Sequence, residues 1–456
     1  MIPRRAFLSL VSTAALAALA GGDTAGARGQ SGPVVDAARL RRRLEHLSTF
    51  GRPVGGTFAS GVSRVAYSDA DVAARAWFLA EMRAAGLTPR LDAAGNIFAR
   101  WGGDPSRPPL LFGSHIDSVP SGGNFDGDLG SLSALEVMQA CQSAGVTTRR
   151  PLEMVVWAHE ESTAFGKGTA CSRIVAGDLK AGDLDQTWNG MRRADAIARI
   201  GGDPARIEQA VRPKGAWHSY LELHIEQGGT LDRARVPIGV VEGIVAINRY
   251  DVVVEGFANH AGTTPMGERQ DALVAASLVV LAVREIAAGR ESRPFDSAQG
   301  RQVGTVGRME VEPNSPNVVP GRVTLSVEFR DLSEATLREL GDAIRTRAAT
   351  IARDTGTRIT LSLASTNPVA LADAGVQAAI GRAAERAGLD ARRLPSGAGH
   401  DAQMIAALCP MGMIFVPSVG GVSHSPRELT AWDDCARGAA VLLGAVLDLD
   451  RRDTVG

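Results

Sequence analysis

Apolar residues recur along this chain with two periods, and the switch between them divides it. "DAARLRRRLEHLS" and "DADVAARAWFLAEMRAAG", near residues 69 to 85, carry apolar positions at helical spacing, and the second stops at a glycine. Short runs follow. "GNIFARW", "PLLFGSH" and the continuous "LEMVVWAHEE" read as strands, "SLSALEVMQACQSAG" as a helix, and "YLELHIEQG" as an alternating strand that breaks at glycine. Strands alternating with helices predict an α/β sheet covered by helices.

From about residue 241 the order changes. "RYDVVVEGFA" is a strand and "RQDALVAASLVVLAVREIAAG" a long helix. "TVGRMEVE" and "RVTLSVEFR" are strands around a turn rich in Pro and Asn. "SEATLRELGDAIRTRAATIARDTG" is an amphipathic helix and "RITLSLAS" a final strand. Strand, helix, strand, strand, helix, strand is the split βαβ order of a ferredoxin-like α+β domain. After about 366 the α/β pattern returns with "GVQAAIGRAAERAG" and "MGMIFVP". The expected organisation is an α/β domain over 33–240 and 367–452 with a smaller domain inserted at 241–366, hinged near 240 and 366.

A chain of 456 residues exceeds one ordinary core, which agrees with two domains. Its net charge of -1 disfavours a polyanionic partner, so no nucleic acid is expected. Residues 1–27 pair arginines in "MIPRRAFLSL" with an apolar run and a small-residue "AGA", the pattern of a twin-arginine secretory signal. The apolar run is short beside the roughly 20 residues of a membrane span, so cleavage and export to the periplasm or beyond are expected over stable insertion. Cys141, Cys171, Cys409 and Cys435 form no C-x-x-C pair, which disfavours thiolate zinc. A disulfide and buried free thiols both stay open.

The ionisable residues fall in a pattern. His115 follows "LLFGS", Glu160 and Glu161 follow "MVVWAH", His224 ends "YLEL", and His424 follows "MIFVPSVGGVS". Each lies at or just past the carboxyl end of an expected strand, the edge where open α/β sheets bind ligands. Imidazole and carboxylate without thiolate suit zinc or a similar divalent ion. Two ions need a shared anion, and Asp126, followed by a glycine, is the candidate. Asp117 is placed to hold the second N–H of His115, and Asp128 to cap the next helix. Of the adjacent glutamates one would bind metal and the other act as a base. "HEEST" is not the helical H-E-x-x-H zinc motif, because residue 163 is threonine. Alone, each of these residues is more often ordinary surface or loop; their joint placement points to a site.

"GSHIDSVPSGGNFDG", "HEES", "LELHIEQG", "EGFANHAGTTPM", "TVGRMEVEPNSPNVVPG", "SVEFRD", "SGAGHDAQM" and "GGVSHSP" together resemble the amidase, hydantoinase and carbamoylase family of binuclear metallohydrolases. Its members include N-carbamoyl-L-amino-acid hydrolases, allantoate amidohydrolases and β-ureidopropionases. The resemblance implies a di-zinc-exopeptidase-like catalytic domain with a mixed sheet, and a lid domain through which subunits pair as a homodimer. It implies two divalent metal ions per subunit, Zn2+ foremost, with Mn2+, Co2+ or Ni2+ as alternatives. His115, Asp126 and His224 would hold one, and Asp126, Glu161 and His424 the other. Glu160 would be the general base acting on a hydroxide between the metals, and His260, from the lid of either subunit, would stabilise the oxyanion. Asn317 would reach in from the lid, Arg330 would grip a substrate carboxylate, and Gln227, Gly399 and His400 would line the pocket. The implied reaction is hydrolysis of a linear amide or ureido C–N bond in a small carboxylate-bearing substrate. An exported N-acyl-amino-acid amidase or dipeptidase is the alternative. The chain departs from the family where "STAF" puts Ala164 in place of an arginine, and at His159.

Overall fold

The computed structural model describes residues 32–289 and 302–455. The expected leader at 1–27 lies outside them. A large mixed sheet runs in the order Arg90–Leu91, Ile97–Trp101, Leu152–Trp157, Leu110–His115, Ser219–Ile225, Met411–Val416, Ile238–Ile244, Ala370–Leu371, and Ala391–Ser396 also pairs with Ile238–Ile244. Leu152–Trp157, Leu110–His115, Ser219–Ile225 and Met411–Val416 are mutually parallel neighbours, so their carboxyl ends share one edge.

All four strands are buried along their whole length because both of their faces are covered, Ser219–Ile225 included although its sequence alternates. Side chains of an extended strand alternate in direction. Met154 and Val156 therefore enter one core while Val155 and Trp157 enter the other. The helices Ala37–Leu47, Asp69–Ala84, Asp128–Ser143, Ala374–Arg386 and Trp432–Asp450 cover the first face, and Ala170–Val175, Arg193–Arg199 and Asp401–Ile405 contribute to the second. Burying each such aliphatic or aromatic side chain contributes roughly 1.5–3 kcal/mol.

A second sheet is fully antiparallel, in the order Val303–Glu312, Arg322–Asp331, Ala246–Glu255, Arg358–Asn367. With the helices Ala272–Ala288 and Glu334–Thr355 it has the expected ferredoxin-like order and a core of its own. Along Arg322–Asp331, Val323, Leu325, Val327 and Phe329 are buried, while Glu328 and Arg330 point to the opposite face. Ile238–Ile244 ends in the large sheet and Ala246–Glu255 begins in the small one, so Val245 is the only residue between them. The return runs from Asn367 to Ala370. No helix among the described residues is long and apolar enough to cross a membrane. The four cysteines are buried free thiols, so no disulfide joins them.

Candidate metal centre

His115 is the last residue of its strand, and the chain then bends so that Asp126 returns beneath the ring. Gly127 makes the approach possible: at φ +68 a Cβ there would lie 2.4 Å from His115 Cε1. His224 comes from the neighbouring parallel strand, and its imidazole centroid is 5.9 Å from that of His115. His115 Nδ1 bonds the Asp117 carbonyl at 3.0 Å and His224 Nδ1 the Ile225 carbonyl at 2.9 Å. A carbonyl only accepts, so both Nδ1 atoms carry the hydrogen and both Nε2 atoms are left to face Asp126.

The Asp126 carboxylate is divided between two groups. Its Oδ1 lies 3.6 Å from His115 Nε2 and 3.1 Å from His224 Nε2, while its Oδ2 lies 3.3 Å from His424 Nε2. Glu161 Oε1 is 3.4 Å from the same His424 nitrogen. Donor atoms of His115, Asp126 and His224 all fall within 4.8 Å of one another, as do those of Asp126, Glu161 and His424. The fit to divalent cations rests on His224 Nε2. It is buried and has no hydrogen-bond partner despite facing a carboxylate, the arrangement of lone pairs converging on a common point rather than on each other.

The electrostatics agree. Burial alone would raise the Asp126 carboxyl, but His224, His115 and His424 hold it well below the usual carboxylate range. Glu161 is pushed up to about 7 by burial and by Asp126, and burial carries Glu160 well above its ordinary value. Crowded acids of this kind want cationic charge beyond what the imidazoles supply.

Glu160 reaches within 3.9 Å of His115 Nε2 while Glu161 turns to His424. The two separate because Asp117 clamps the bend: its Oδ1 accepts the Glu160 N–H and its Oδ2 the Glu161 N–H, both at 3.1 Å. This corrects the expectation for Asp117. The backbone carbonyl, not the carboxylate, holds the His115 ring, since the carboxylate is already used by two amides. Asp128 is also corrected. It is the first residue of its helix, not the cap, and its carboxylate pairs with buried Arg64.

A cleft of about 800 Å3 carries the five candidate donors and Glu160, together with Gln227, Arg330, Gly399 and His400. Gln227, at φ +58, donates from Nε2 to Asp126 Oδ2 at 2.7 Å. His400 packs on His224 with centroids 4.5 Å apart. Arg330 donates Nε to Glu328 at 2.6 Å and Nη1 to the Gly397 carbonyl at 2.7 Å. His260 and Asn317 are not brought to this cleft. His260 sits exposed on a short ladder, Asn259–His260 against Val318–Val319, and Asn317 lies just before it, its carbonyl accepting the Ala261 N–H at 3.0 Å.

His159 and Ala164 are hydrogen-bond partners. His159, at φ +54, donates from Nε2 to the carbonyl of buried Ala164 at 2.8 Å and accepts the Tyr67 hydroxyl at Nδ1 at 3.2 Å. Burial lowers the imidazole to about 4, so it stays neutral and structural. Sequence reasoning missed Glu428, whose Oε1 accepts the N–H groups of Phe125 (3.0 Å) and Asp126 (3.1 Å). An acid four residues after His424 was its only signal.

With this geometry in place, comparison with known proteins gives the family. Residues 111–448 match the model of peptidase family M20/M25/M40, and the chain belongs to that family. It is 39% identical to an N-carbamoyl-L-amino acid amidohydrolase of Geobacillus stearothermophilus, over 91% of this chain and 99% of that one. It is 35% identical to a ureidoglycolate hydrolase of Arabidopsis thaliana, over 90% and 85% respectively. A crystal structure of a hydantoinase/carbamoylase family amidase from Burkholderia multivorans superposes with a TM-score of 0.82 at 36% identity, covering 92% of this chain and 99% of that chain. Family and donor set together point to divalent metal ions.

Proposed function

We propose that this protein hydrolyses the ureido C–N bond of N-carbamoyl-L-amino acids or related ureido acids, using two divalent ions held around Asp126. The observation that carries the reading is the Asp126 carboxylate, one oxygen turned to His115 and His224 and the other to His424 beside Glu161. Zinc suits this nitrogen and oxygen set best, with manganese, cobalt and nickel as substitutes. When bound, such ions supply Lewis acidity toward the ureido carbonyl and acidify water.

The chain's own residues do the rest. Glu160, raised by burial, takes a proton from water and passes it to the departing nitrogen. Asp117 fixes the Glu160 backbone so that the carboxylate stays beside His115. Arg330 keeps Nη2 for a substrate carboxylate, while Nε is held by Glu328 and Nη1 by the Gly397 carbonyl. One water and one ureido group give the free amine, carbon dioxide and ammonia. His260 and Asn317, exposed at the two-stranded ladder, serve the site of a second copy in a homodimer. The hinges of lid closure lie where the chain changes sheets, at Val245 and between Asn367 and Ala370. The paired arginines Arg4 and Arg5 support export of the chain.

The test is a panel of N-carbamoyl, N-acetyl and dipeptide substrates on protein reconstituted with zinc, manganese or cobalt. Turnover confined to N-acetyl amino acids or dipeptides would replace this reading by an acyl amidase or a peptidase.

A further inference from the structure

The cleft that holds the histidines also has a cationic lining. Lys167, Arg173, Lys180, Arg249 and Arg330 all line it, and among the described lining residues Ile247 is the only branched aliphatic and there is no Phe, Tyr or Trp. The composition sharpens this. The chain has three lysines, Lys167, Lys180 and Lys214, among 49 basic side chains, so two of its three lysines line this cleft.

The arginines of the wall are committed, Arg330 except for the Nη2 edge assigned above to the substrate's first carboxylate. Arg173, nearly buried, donates to Asp178 at 3.0 Å, Asn367 at 3.1 Å and the Gly168 carbonyl at 3.2 Å. Arg249 and Arg330 share Glu328, whose carboxyl they hold below its usual range against the opposing effect of burial. The lysines are less engaged. Lys167 Nζ is 3.8 Å from an Asp178 oxygen that Arg173 already holds. Lys180 makes no ion pair among the described residues. Apart from Asp126, Glu160 and Glu161, which belong to the metal centre, the carboxylates that meet these five cations are Asp178 in the cleft and Glu328 behind it.

An apolar substrate side chain would meet little apolar surface here beyond Ile247, Ala364, Pro368 and Ala398, and would dehydrate ammonium groups without replacing their partners. A carboxylate would be met by compact, mobile charges that need no fixed geometry. We propose that Lys167 and Lys180 select ureido acids with a second carboxylate on the side chain, N-carbamoyl-L-aspartate and N-carbamoyl-L-glutamate being the simplest. The proposal rests on the N-carbamoyl hydrolase reading above.

The experiment compares kcat/KM of the metal-loaded enzyme for N-carbamoyl-L-aspartate, -glutamate, -alanine and -leucine. The dicarboxylates should lead by about tenfold or more, mostly through KM and less so at high salt, as charge-assisted contacts at a wet wall would give. In the Lys167→Met, Lys180→Met double variant that preference should collapse, and in the Lys167→Arg, Lys180→Arg variant it should persist. Equal or better turnover of alanine or leucine substrates, or a preference that survives the methionine variant, overturns the assignment while leaving the hydrolase reading intact. Hydrolysis of none of the four overturns both.

Discussion

The Glu428 carboxylate accepts the backbone N–H of Asp126 at 3.1 Å, and this bond ties the loop of one histidine to the loop of another. The same Oε1 accepts the Phe125 N–H, while Oε2 accepts the Ser423 hydroxyl at 2.8 Å, next to His424. The contact is close enough that a Cβ on Gly123 would fall 2.0 Å from Glu428 Oε1. Asp126 can face both groups of donors only while these loops stay in register.

Glu428→Ala should therefore weaken metal binding by about 10- to 100-fold, the range for losing a partner of a ligand. Glu428→Gln, which can still accept the amides, should lose less. Equilibrium dialysis against zinc separates them. Wild-type affinity in the alanine variant would mean that the loops hold their register unaided.

Glu160→Gln should bind metal and fold as the parent does, yet turn over about 100- to 10,000-fold more slowly, the span expected for a general base. Metal analysis beside steady-state kinetics checks this. Near-normal turnover would assign the proton transfer to another group.

His260→Ala and Glu160→Gln chains, each inactive alone, should complement when mixed. If His260 acts on the neighbouring subunit, random pairing at equal amounts restores about one quarter of the sites. No recovery after exchange of subunits would place His260 in its own chain's cleft.

His218 gives a pH test outside the site. Burial first, then Arg150, lowers its imidazole from 6.5 to about 4, with Asp450 and Asp453 opposing. Its Nε2 is buried without a partner. A base lowered on folding stabilises the fold above its unfolded pKa, and that contribution is lost as pH falls from 6.5 toward about 4. Because the group is only partly buried, the loss is on the order of 1 kcal/mol. Melting temperatures of the parent and His218→Gln should diverge over this window, the parent falling faster. Parallel curves would contradict the assignment.

The strand-end residues were legible in sequence for a simple reason. His115, Glu160, Glu161 and His224 lie at or just beyond apolar runs whose periodicity is strong, so their edge of the sheet follows once the strands are parallel. The helices Ala272–Ala288 and Glu334–Thr355 were legible for the same reason. Ile238–Ile244 was not: its sequence "IGVVEGI" carries two glycines, and its strand character comes from pairing with Met411–Val416 and Ala391–Ser396. The roles of Asp117 and Glu428 were hidden because each depends on backbone amides of a distant loop, which leave no trace in residue type. The place of His159 is hidden for the same reason, since its ring is held by the backbone carbonyl of Ala164.

The most direct test is the number of metal ions bound per chain, measured by elemental analysis after reconstitution, for the parent and for Asp126→Ala. Two ions in the parent, and a loss at both positions when the shared carboxylate is removed, are expected from the division of its oxygens between His115 with His224 and His424 with Glu161. A parent that takes up no ion, or an alanine variant that keeps both, would contradict a binuclear centre built on Asp126.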